Sequence, residues 1–159
     1  MLGPVAGRAG VSRARPAGLL PLSYLEARGC LRLTGTGASA DPDPVQVRAE
    51  ELGGRVLLAR TQDRTRLSEE EPPDDVVAVE RSLTEVVWAA PTLRALATTT
   101  SLRAAAESVP LHHSTLQRQV RLLEERLGWS LTDADGRFRL QLALALHRLR
   151  ANSVDPGLW

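Results

Sequence analysis

"LHHSTLQRQVRLLEERLG", residues 111–128, decides the fold of this chain. Leu116, Val120, Leu123 and Leu127 recur at spacings of four, three and four, which places them on one stripe of an α-helix. Counting about 100° per residue, Ser114, Arg118 and Arg121 point away from that stripe, with Gln117 beside them. Gly128 supplies the helix stop. The stretch predicts a helix with apolar residues turned inward and guanidinium groups turned out.

The residues before it predict a second, shorter helix. "SLRAAAESV" (101–109) opens on Ser101, whose hydroxyl can accept from a first-turn amide. Leu102, Ala105, Ala106 and Val109 form its apolar face, and the small alanines permit a close helix crossing. "PLHH" is a tight corner between the two helices. Two short helices joined in this way make a helix-turn-helix, whose second helix lies in the DNA major groove with its first residues near base edges. After Gly128, "WSLTDADGRF" predicts a turn or small wing, with Asp133, Asp135 and Gly136 as turn residues. A last helix, "RLQLALALHRLRA", is expected from about Arg139.

Upstream the signals weaken. "DVVAVERSLTEVVWAA" predicts a helix introduced by a proline pair and Asp74, and Pro91 interrupts it at the start of a new one. "TQDRTRLSEEEPPDD" (61–75) predicts a charged linker. "CLRLTG" (30–35), "VQVRA" (45–49) and "RVLLA" (55–59) predict short strands. Gly35 and Gly37 form a Gly-x-Gly without the rest of a dinucleotide fingerprint, so that stretch is expected as a loop. The first 29 residues carry Gly, Pro and Arg without periodicity and predict poor order. Their acid-free start is also the composition of a transit peptide.

Composition bounds the function. All 20 basic residues of the 159 are arginine, so any phosphate contact is made by arginine. Residues 1–40 hold five Arg and one Glu, a net +4; residues 41–83 hold six Arg and eleven acids, a net −5; residues 84–151 hold nine Arg and six acids, a net +3. The basic excess of the C-terminal half permits a nucleic-acid partner. No apolar run approaches the roughly 20 residues that a membrane helix needs, so no membrane is expected. Cys30 is alone, which excludes an internal disulfide and fits a reducing, cytoplasmic compartment.

Catalysis and metal binding have little behind them. Adjacent ligands such as His112 and His113 rarely reach one ion together, and the third histidine, His147, lies in the last helix. His112 is instead expected to cap the helix or close the corner. His113 and Ser114 lack an orienting acid and a strand-elbow context. The chain has no phosphate loop and no nucleophile with its base, so no enzyme, cofactor or metal is expected. Trp88 and Trp129 flank apolar helices and are expected in the core.

The ordered motifs resemble the C-terminal helix-turn-helix domain of PucR/CdaR-type bacterial transcriptional regulators. The resemblance rests on Leu111-His112-His113-Ser114-Thr115-Leu116, on Glu124-Glu125-Arg126-Leu127-Gly128, on the turn from Asp133 to Arg137, and on the leucine-rich run from Leu140 to Leu149. LysR-type regulators share the first part of this pattern. The resemblance covers roughly the last 75 residues. It implies a mainly α, winged-helix-like DNA-binding domain of three to five helices at 74–155. It also implies that residues 45–73 are a short β-containing remnant and linker, and residues 1–44 a poorly ordered segment. The long N-terminal sensory region of such regulators is expected to be largely missing. Double-stranded DNA is the expected partner, contacted by His113, Ser114, Thr115, Gln117, Arg118 and Arg121, with Arg103 on the helix that crosses the backbone. Leu140 and Leu144 fall opposite the stripe of Leu142, Leu146 and Leu149 and are expected either as the contact of a homodimer or as a face covered by residues 76–90. The alternative expectation is a truncated regulator that acts by pairing with related regulators.

Overall fold

In the C-terminal half each helix begins or ends where side-chain chemistry dictates. The computed structural model describes residues 7–38, 40–65 and 71–152, with only the backbone described at 61–65. The chain divides into two compact units, one of residues 38–42 and 72–147, the other of residues up to 37, 43–71 and from 148. The helices of the first are α4 (Asp74–Glu85), α5 (Ala89–Thr98), α6 (Leu102–Ser108), α7 (His113–Leu127) and α8 (Ala134–Ala151), whose last residues, from Arg148, count with the other unit. Asp74 and Asp75 occupy the first turn of α4, where carboxylates complement the helix dipole. The expected long helix stops at Glu85, and Pro91 sits in the first turn of α5. Ser101 Oγ accepts from the Ala104 amide at 3.1 Å and caps α6. Gly128 ends α7 in the left-handed region at φ 82°.

The core of this unit joins all five helices. It contains Val79, Leu93, Leu96, Ala105, Leu116, Val120, Leu123, Leu127, Leu131, Leu140 and Ala143. Trp88 and Trp129 pack against it, half-buried. The last helix departs from expectation twice. It begins at Ala134 rather than near Arg139, because Asp133 is a cap rather than a turn residue. Its carboxylate accepts from the Gly136 amide at 2.8 Å, and that bond holds its pKa below the ordinary carboxylate value. It also buries leucines of both its stripes, Leu140 in this unit and Leu149 in the other. Leu140 is fully buried, so it offers no free surface to the expected dimer contact, and Leu144 packs half-buried against the same cluster. Gly136, Leu140 and Ala143 share a face. A Cβ on Gly136 would lie 1.7 Å from the Ser130 carbonyl oxygen, so this face must lie under the 129–133 loop. Arg139 fixes the flank: it donates to Asp75 at 2.5 Å while its guanidinium lies 4.4 Å from the Trp129 ring centroid.

The other unit is more helical than its sequence suggests. It contains β1 (Ala9–Val11), a 3-10 turn (Ala17–Leu19), α1 (Leu20–Arg32), β2 (Gln46–Arg48), α2 (Ala49–Leu52) and α3 (Arg55–Thr65). Strands β1 and β2 pair in parallel with Gly10 opposite Val47. Gly10 is required there: a Cβ would lie 2.1 Å from the Ala27 carbonyl oxygen of α1. A small core gathers Cys30, Val47, Ala49, Leu52 and Val56, and burial pushes the Cys30 thiol up to about 11.

Three expectations fail here. Residues 20–32 are a helix rather than poorly ordered chain, and residues 30–32 and 55–59 are helical rather than strands. Cys30 and Leu33 meet the core three residues apart, as do Val56 and Ala59, while Leu57 is exposed. That is helical spacing, and five residues of apolar sequence do not separate it from alternation. Of the expected linker, residues 61–65 continue α3 and residues 66–70 lie outside the described residues. Among the described residues no helix is long and apolar enough to cross a membrane.

Glu26 of α1 holds the N-terminal stretch in place. It is 5% exposed. Its carboxylate accepts from Arg13 Nη2 at 2.6 Å, from the Arg13 amide at 2.9 Å and from Arg15 Nη1 at 2.8 Å. The Arg15 guanidinium and the Arg13 bonds hold it at about 2, against desolvation, which acts the other way. Such a group stabilises the fold in full above its ordinary pKa and loses that contribution as the pH falls from about 4.5 toward 2. Glu26→Gln is expected to remove about 2 kcal/mol at neutral pH and most of the unit's acid sensitivity, read by circular dichroism in an acid titration. Leu140→Ala is expected to cost about 2–5 kcal/mol in thermal melts while leaving the mass in solution unaltered by light scattering.

Candidate nucleic-acid interface

The rotation of α7 about its own axis builds the candidate interface. Leu116, Val120, Leu123 and Leu127 are buried, so the opposite side of the helix faces outward. His113, Ser114, Thr115, Gln117, Arg118 and Arg121 are all exposed. Ser114, Arg118, Arg121 and Glu125 lie along one outward strip, with Gln117 on its edge. Arg118 and Arg121 have no ion pair among the described residues. Ser114, Gln117, Arg118 and Arg121 thus share the outward side of α7, and His113 and Thr115 are exposed at its start.

The flanks of the helix are tied down. Gln119 is half-buried, and its side-chain oxygen accepts from Thr92 Oγ1 of α5 at 2.8 Å. Glu124 accepts from the Leu131 amide at 2.7 Å and from Ser130 Oγ at 3.3 Å, which fastens the 129–133 loop to α7. Arg126 pairs with Glu85 of α4 at 2.7 Å. The sequence reading missed these three positioning roles. Only the "EE" before Gly128 gave a signal, and it did not say which of the two glutamates turns inward.

The corner between α6 and α7 is Val109-Pro110-Leu111, closed by a bond from the Leu111 amide to the Val109 carbonyl at 2.6 Å. His112 stands at the N-cap with extended backbone, and its carbonyl accepts from Leu116 at 3.0 Å. Its side chain makes no cap bond, so the expected capping role of the imidazole is not met. The first turn of α7 holds no acidic residue. Arg103 of α6 is exposed and lies 3.2 Å from Glu107 in an i, i+4 pair. Arg137 of α8 donates to the carbonyl of Thr100, between α5 and α6.

A short helix, a three-residue corner and a second helix with polar, cationic residues outward define a helix-turn-helix unit. Residues 89–146 match the family model of the PucR C-terminal helix-turn-helix domain. The match runs from the first turn of α5 into α8 and leaves α4 outside. No curated protein and no solved structure matches the chain. Residues 89–146 thus form a PucR-type helix-turn-helix domain.

Gly136 tests the geometry that presents this surface. Alanine is ordinarily better than glycine inside a helix by about 1 kcal/mol. Here the contact with the Ser130 carbonyl outweighs that gain, so Gly136→Ala is expected to destabilise the unit by roughly 1–3 kcal/mol in thermal melts.

Proposed function

We propose that the protein is a sequence-specific DNA-binding transcriptional regulator that inserts α7, from His113, into the major groove. The observation that carries this reading is the exposure of Arg118 and Arg121 on a helix whose four apolar residues are all buried. Arg118, Arg121 and Arg103 contact phosphates, together with the first-turn amides of α7. His113, Ser114, Thr115, Gln117 and Arg118 meet base edges. Arginine reads guanine through a bidentate bond, and glutamine reads adenine. Two copies on one duplex place their α7 helices about 34 Å apart, one turn of DNA. The alternative is a module that acts by pairing with related regulators; Leu140, one of the two residues expected at a contact between copies, is buried. DNA binding is therefore the better supported reading.

Fragments of genomic DNA retained by the full chain supply the duplex for the test. Replacing both arginines, Arg118→Ala with Arg121→Ala, is expected to weaken binding to that duplex by about tenfold or more and to flatten the salt dependence by about two ions. The circular dichroism melt stays that of wild type, since both side chains are exposed. Undiminished binding by the double variant would show that another surface holds the DNA.

A further inference from the structure

The first two turns of α1 are apolar on nearly every side. Between Arg15 and Glu26 the chain reads "PAGLLPLSYL", ten residues without a charge. At about 100° per residue, Leu20, Leu22, Tyr24 and Leu25 are spread around the helix. A helix that is apolar all round is ordinarily buried. Here Leu19, Leu20, Leu22, Tyr24 and Leu25 stand between 42% and 63% exposed. Resting on the two-copy arrangement of the DNA-binding reading above, we propose that a second copy of this chain covers this end of α1, in a two-fold contact that joins the copies through the same residues.

The helix runs out of cover part-way along its length. Leu22, Leu25 and Gly29 follow at spacings of three and four, so they share a stripe. A Cβ at Gly29 would lie 3.3 Å from that of Ala59, so this part of the stripe packs against α3. Leu22 and Leu25 carry the same stripe on into water. The surface is also held in shape. Arg15 pairs with Glu26 at 2.8 Å and so ties together the two ends of the uncharged run. Pro21 fixes the backbone in the first turn of α1. A surface ordered in advance loses little freedom when it binds.

Its area suits a second copy. At roughly 150–200 Å² for a large apolar residue, the five leave about 400 Å² in water. A stable interface buries about 800 Å² on each partner, and about 56–65% of that, or about 450–520 Å², is apolar. Pro16 and Pro21, both exposed, add to the apolar area. The absence of charge selects the partner's chemistry. A charged partner would lose its hydration here without meeting an opposite charge. A second copy brings the same uncharged surface, as a two-fold contact requires. An anionic membrane is held by an apolar helix face with cations beside it, whereas Arg13 and Arg15, which lead into the run, answer Glu26.

Sedimentation velocity of the full chain, without DNA, from about 1 µM to about 100 µM tests the contact. Wild type is expected to pass from one copy to two across that range. Leu22→Glu with Leu25→Glu is expected to stay a single copy throughout, since a two-fold contact would then bury four carboxylates. Its circular dichroism melt is expected to match wild type, because both side chains already stand in water. Leu20→Glu with Tyr24→Glu, on another side of α1, is expected to give the same result. Val87→Glu, at a residue 96% exposed in the other unit, is expected to leave the dimer intact. If wild type stays a single copy, if either double variant still dimerises, or if Val87→Glu abolishes the dimer, this face is not the contact. A single-copy wild type that floats with vesicles of anionic phospholipid would give the face to a membrane instead. The DNA-binding reading fails separately. A dimer that holds no duplex removes that reading and leaves the contact standing, and a single copy that binds duplex through Arg118 and Arg121 does the reverse.

Discussion

The four buried residues of α7 set which way this protein faces. Burying a leucine or valine side chain contributes about 1.5–3 kcal/mol, whereas an exposed ion pair such as Arg126 with Glu85 contributes tenths. Packing therefore fixes the rotation of the helix, and the polar bonds on its flanks trim it. Gln119 against Thr92 holds one side, and Glu124 against the Leu131 amide holds another. The outward strip of Ser114, Arg118 and Arg121 is what remains. Its exposure is a consequence of the core and needs no separate cause.

That same stripe was legible in the sequence, because its spacing of four, three and four has no rival reading over eleven residues. The cap at Ser101 and the stop at Gly128 were legible too, each being a local bond or a local φ preference. The last helix was not. Its two leucine stripes are nearly equal in composition, so hydrophobicity alone does not choose between them. Both are used: Leu140 is buried where Gly136 lies beneath the Ser130 carbonyl and Arg139 meets Asp75, contacts that span from 6 to 64 residues, and Leu149 is buried in the other unit. Asp133 looked like a turn residue because an N-cap and a turn use the same side-chain acceptor.

Around α1 the sequence misleads for a different reason. The helix carries Gly29 inside it, a proline in its first turn and exposed Leu20, Tyr24 and Leu25, so its periodicity is poor. Long-range polar contacts hold the unit instead. Arg32 is buried and donates to the Leu149 carbonyl at 2.9 Å, and Asn152 donates to the carbonyls of Arg32 and Thr34. Glu26 gathers two arginines from eleven and thirteen residues away. Such pairs leave no trace in a local pattern, and a charge count hides them.

Charge counting overstates the interface for the same reason. Of the nine arginines between 84 and 151, Arg103, Arg126, Arg139 and Arg148 answer carboxylates, Arg103 only through an exposed i, i+4 pair, and Arg137 answers a backbone carbonyl. On the DNA-binding reading, Arg103, Arg118 and Arg121 are the cations on the reading side. Three phosphate contacts give a salt slope of about −2.7, far shallower than the slope that six to ten contacts produce. One copy on a duplex is therefore a weak binder by charge alone. Base contacts from the short polar residues at the start of α7, and a second copy one turn along the DNA, have to supply the remaining affinity and most of the discrimination. Because Leu140 lies in the core, the surface that would join two copies lies away from it.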